Sequence, residues 1–107
     1  MPTYDFYAHP PTTKEQVREY ITTWLEPITD ATPVDVNGDI YKPVSGFRRA
    51  CYIHTIYQNV TTGNYVWYVA EDSVTDYAGW PTVSYSTMEQ LVDAVIKQIC
   101  SQWRISV

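Results

Sequence analysis

The chain has 107 residues, 45% of them hydrophobic and only 18% charged, with ten tyrosines, four tryptophans and a formal net charge of −5. That length supports one core rather than two, and that composition excludes a disordered chain. The acidic residues are scattered, the nearest basic cluster is Arg48-Arg49, and no apolar run reaches the ~18 residues of a membrane span, which argues against nucleic-acid and membrane partners.

Residues 1–11 read as an aromatic arm, with Tyr4, Phe6 and Tyr7 ahead of the stiff break His9-Pro10-Pro11. Three ring faces left in water would make an apolar patch, so the arm is expected to pack on its own domain. Met1-Pro2-Thr3-Tyr4-Asp5 has neither the basic start nor the apolar stretch of a secretory signal, and Cys51 and Cys100 lie within apolar patterns, so the expectation is a cytoplasmic protein with reduced thiols.

Thr12 with Glu15, or Thr13 with Gln16, offers a capping box, after which Val17, Tyr20, Ile21, Trp24 and Leu25 recur at helical spacing until Pro27. Val34 and Val36 then lead into Asn37-Gly38 and out through Ile40, Tyr41 and Val44, a tight hairpin of the kind that needs positive φ at both turn residues. Asp35, Asn37 and Asp39 alternate like the first ligands of a calcium loop. Ile40 where glycine is needed, and Gly46 where a bidentate glutamate is needed, exclude that reading.

Arg48 to Gln58 reads as the longest strand and Asn64 to Asp72 as its partner, with Thr61-Thr62-Gly63 as a three-residue turn. That turn would oppose Tyr52 to Asp72, His54 to Ala70 and Ile56 to Tyr68, placing Cys51, Ile53, Thr55, Trp67 and Val69 on the other face. Both faces are then apolar, and both need a cover. Asn59-Val60-Thr61 matches a glycosylation acceptor and is read as turn chemistry in a chain that is not secreted. The stretch Asp76 to Pro81 holds Tyr77 and Trp80 in a loop, and Val83 and Tyr85 can add a short fifth strand.

The final helix carries Met88, Leu91, Val92, Val95, Ile96, Ile99, Cys100 and Trp103 on one face, with Ser86 and Glu89 as its capping box. The expected architecture is a single α+β domain over residues 1–107, in the order α-β-β-β-β-α, an antiparallel meander with both helices on one face.

No phosphate loop, dinucleotide glycine pattern, nucleophile elbow or zinc spacing is present, so no cofactor or metal is expected. Cys51 and His54, three apart in one strand, point to opposite faces and cannot form a dyad. The polar constellation that can be assembled is Tyr52, His54, Tyr68 and Asp72, and it lacks the pocket that acid–base catalysis requires. The leading expectation is therefore a non-enzymatic protein–protein interaction module that self-associates, as a homodimer, through the face of Tyr52, His54, Ile56, Tyr68 and Asp72. Two alternatives accompany it. One is an acidic inhibitor of a nucleic-acid enzyme, of the kind mobile elements or phages encode. The other is a ligand pocket or enzyme site between the sheet and the aromatic loop, using His54, Tyr77 and Trp80.

Overall fold

The computed structural model describes residues 11–49, 52–71 and 80–105. Helix α1 (Lys14–Trp24) is followed by five strands, β1 (Glu26–Pro27), β2 (Val34–Val36), β3 (Asp39–Arg49), β4 (Tyr52–Asn59) and β5 (Tyr65–Glu71), and then by helix α2 (Met88–Gln102). The strands form one antiparallel sheet in the order β1-β3-β4-β5, with β2 pairing β3 beside β1. This is the α+β domain expected, with both helices on one face of the sheet.

Both helices begin with the same device. Thr13 and Thr87 are the N-caps, each accepting from the backbone N–H three residues on, at Gln16 and Gln90. The preceding hydroxyl, on Thr12 or Ser86, then donates to the amide oxygen of that same glutamine. The cap of α2 is thus Thr87 with Gln90, not Ser86 with Glu89, because glutamine placed at the third helical position can receive the extra hydroxyl while its own N–H is capped. Helix α2 ends in a Schellman arrangement, with Ile105 N–H on the Cys100 carbonyl and Arg104 N–H on that of Ser101, and Arg104 takes the left-handed φ of 55° usually given to glycine.

The Asn37-Gly38 turn is as expected, with φ of 53° and 92°, and Asp35 Oδ1 accepts from Gly38 N–H. Four features of the strands differ from expectation, the first being the short strand β1, where the sequence shows only the proline that ends the helix. The stretch expected as a single strand from Arg48 divides: Arg48 and Arg49 end β3, and β4 starts at Tyr52. Val83 does not join the sheet, and Tyr85 makes only an isolated bridge to Tyr65. The β4–β5 register is also shifted by one residue, pairing Tyr52 with Glu71, His54 with Val69 and Ile56 with Trp67.

The cause of the shift is Asn59. Its Oδ1 accepts from the N–H groups of Thr61 and Thr62, and its carbonyl accepts from Gly63, so the connection spans four residues, Val60 to Gly63, instead of three. The Asn59 side chain is buried in this role, which makes it turn chemistry as expected from the sequence. A one-residue slip moves every side chain of a strand to the other face. Trp67 and Val69 therefore join His54 and Ile56, while Tyr68 lies opposite them.

A second device sorts β3. A bulge between Pro43 and Ser45 makes the odd-numbered residues change face: Tyr41 and Pro43 share the side of Tyr57, and Phe47 shares that of His54. One strand thus serves both faces. The helix face holds the main core of Val17, Ile21, Phe47, Ile56, Leu91, Val92, Val95, Ile96, Ile99 and Cys100. Of the eight apolar residues expected on α2, six are buried, and Met88 and Trp103 pack at the margin.

Candidate functional site

The predicted interaction surface does not hold together. His54, Ile56 and Tyr68 are only 5%, 3% and 6% exposed, the first two under the helices and the third on the far side of the sheet. Asp72 and Tyr77 lie outside the described residues, as do Cys51 and the arm 1–10, and nothing is built on them. Of the predicted set, Tyr52 is exposed. His54 is a core residue, stacked between Phe47 (centroids 4.4 Å apart, planes 8°) and Trp67 (5.4 Å, 16°). The acid–base constellation is accordingly dispersed, and His54 and Trp80, expected to share a pocket, stand on opposite faces.

Trp80 closes the second face. Its ring lies 5.0 Å from Tyr41, 5.1 Å from Tyr57 and 5.1 Å from Tyr68, all at tilted angles that favour aromatic pairs. Tyr57, Val66 and Tyr68 are buried beneath it. Neither face of the sheet is therefore the open aromatic surface expected.

What remains open is an edge. The outer edge of β3 is covered by β1 and β2, and where the two leave a gap the chain places Pro43, which has no N–H to offer there. The other edge is β5. The Asn59 N–H bond to the Asn64 carbonyl marks that pair as hydrogen-bonded, so alternation makes Tyr57·Val66, Thr55·Tyr68 and Ile53·Ala70 the bonded pairs within the sheet. Tyr65, Trp67, Val69 and Glu71 then direct N–H and C=O outward. Tyr65 confirms the parity, exchanging both bonds with Tyr85 at 2.7 and 2.8 Å. Beyond it, among the described residues, the backbone of Trp67, Val69 and Glu71 has no neighbouring strand.

A groove follows this edge. One part, of 420 Å³, lies between Trp67, Val69 and the segment Pro81, Thr82, Val83. The other, of 340 Å³, lies between Tyr52, Val69 and the α2 residues Gln98 and Gln102. Trp67, Val69 and Gln98 line both. Three of the large apolar side chains that the fold leaves exposed, Tyr52, Val69 and Val83, sit along it. No Asp, Glu, Lys or Arg lines it among the described residues, nor do these contain a metal-binding group of His, Cys, Asp and Glu. Such an arrangement can hydrogen-bond an extended backbone and bury apolar side chains beside it.

The sequence contains the signal for this edge in the run Trp67-Tyr68-Val69-Ala70, β-prone and free of Lys and Pro. Which side chains it would show could not be read until the Asn59 turn set the register. No described helix is long and apolar enough to cross a membrane. Compared with known proteins, the chain matches no family model, no curated sequence and no solved structure.

Proposed function

We propose that the protein is a small non-enzymatic interaction module whose contact surface is the open β5 edge and the groove beside it. The observation that carries this reading is an edge strand with outward N–H and C=O groups at Trp67, Val69 and Glu71, flanked by exposed Tyr52, Val69 and Val83. Soluble folds blunt such an edge with Lys, Pro or a bulge, and β5 has none of these, whereas β3 has both a proline and a bulge. Strand addition uses an edge of this kind: the main chain supplies affinity and the flanking side-chain sites supply selectivity. The lining, uncharged among the described residues, favours a β-prone segment that is uncharged at its centre, since a charge brought into the groove would lose hydration.

Backbone amide spectra test this directly. A panel of uncharged Val-, Thr- and Tyr-rich heptapeptides, and the protein's own concentration, should shift the amides of Trp67, Val69 and Glu71 while leaving Val66, Tyr68 and Ala70 nearly still. Val69→Lys should abolish the response with an unchanged far-UV circular dichroism spectrum. Silence of the three outward amides under every condition would overturn the proposal.

A further inference from the structure

We infer that the strand added at this edge is β5 of a second copy, paired antiparallel about a two-fold axis through Val69. The inference rests on the edge being the contact surface and names its occupant. In this register Val69 faces Val69, and Trp67 faces Glu71 of the second copy in both directions, so every outward backbone group of the three residues meets one from the same set. The edge is self-complementary.

The sheet also shows why such pairing stops at two. Its other edge is made of β1 and β2, only two and three residues long, with Pro43 in the gap between them, so among the described strands β5 is the one long enough to accept a strand. A contact in which the same surface serves both partners closes on itself and cannot grow into a fibre. Charge points the same way. Each copy carries a net charge of −5, yet the groove is free of Asp, Glu, Lys and Arg among the described residues, and the two Glu71 positions fall at opposite ends of the paired stretch. This is a place where two acidic molecules can meet without like charges opposed. On the helix side the neutral Gln98 and Gln102 flank the groove, so α2 brings no charge to the axis. The contact rests on a short paired stretch, and the dimer is expected to be reversible.

An axis through Val69 makes a particular experiment possible, because a residue there meets itself. Light scattering from low micromolar to millimolar concentration should show wild type passing from monomer to dimer. Val69→Lys and Val69→Glu, each opposing like charges across the axis, should each weaken dimerisation at least tenfold, while an equimolar mixture of the two recovers a heterodimer. Val69 is exposed, so both variants should keep the wild-type thermal transition, and recovery in the mixture itself requires both to be folded. A wild type that stays monomeric overturns the inference, as does a mixture that stays monomeric. If the Trp67, Val69 and Glu71 amides still respond to heptapeptides in that case, the edge remains a contact surface and only the self-pairing falls. A wild-type dimer that Val69→Lys leaves intact places association elsewhere and overturns both readings.

Discussion

The two faces of the sheet are closed in opposite ways. On one side two helices deliver a core in which Val17, Ile21, Phe47 and Ile56 meet six residues of α2, so the cover is spread over many contacts and several turns of helix. On the other, Tyr57, Val66 and Tyr68 lie under Trp80, whose one indole touches three tyrosine rings. A distributed cover follows from periodicity, because each apolar residue at i, i+3 or i+4 adds its own share. A point cover depends on one side chain arriving at one place. The difference teaches that stability and sheet closure are separable here: removing helix contacts should unfold the molecule, whereas removing the indole should reopen a face of a molecule that stays folded.

Breaking the helix face should have the largest effect. Leu91 is fully buried between the helices and the sheet, and Leu91→Ala should cost about 2–5 kcal/mol from lost transfer energy and the cavity left behind. Urea denaturation measures it as a lower midpoint at an unchanged slope. Trp80→Ala should cost less, about 2 kcal/mol, since the indole is only partly buried and its gain comes from ring contacts. Its signature is local: the ring resonances of Tyr41, Tyr57 and Tyr68 should shift while those of Phe47 and His54 hold. Equal losses in the two variants, or shifts reaching Phe47, would show that the faces are not separable.

The same contrast decides how much was legible in the sequence. Both helices could be read because the stripe from Val17 to Leu25 and that from Met88 to Trp103 are periodic, and the Asn37-Gly38 turn because few residue pairs tolerate its φ values. What could not be read depends on single side chains. Asn59 turning its own amide oxygen onto Thr61 and Thr62 lengthens one loop by a residue and exchanges the faces of Trp67 and Tyr68. The bulge after Pro43 splits β3 between two cores, although nothing in local propensity marks Val44 as the extra residue. The candidate site inherits these misses: with the register off by one, His54 and Tyr68 looked like neighbours, and Val69 seemed to belong to the wrong face. Tyr52 and the apolar run of β5 were visible, but not the edge they share.

The end of α2 offers a smaller test on the distributed side. Arg104 holds a left-handed φ of 55° to close the Schellman bonds, a conformation that costs an L-residue more than glycine. Arg104→Gly should therefore stabilise the protein by about 0.5–1 kcal/mol, less what glycine gains in unfolded-state freedom. A rise in melting temperature without any change at Tyr57, Tyr68 or Trp80 would again keep the faces apart. A loss would mean that the arginine side chain holds the helix end by more than its backbone geometry.

The smallest expected effect lies where the two helices touch in water. Arg18 of α1 donates to Asp93 of α2 at 2.6 Å, both side chains being well exposed, and this hydrogen bond is the main reason the Asp93 carboxyl lies below its ordinary value. Desolvation opposes it, and the charges of Arg18, Lys14 and Lys97 add to the lowering. A carboxyl whose folded value is depressed contributes stability above its unfolded value and loses it as the pH falls through the folded one. The melting temperature of wild type should thus exceed that of Asp93→Asn slightly and constantly near neutrality. The gap should shrink as the pH drops below the ordinary carboxylate value, and salt should shrink it at any pH, because exposed pairs are screened. Because the pair sits outside the core that the helices bury, its loss should leave the Leu91 and Trp80 effects unchanged. A gap that widens in acid would mean that Asp93 is strained rather than favoured in its place between the helices.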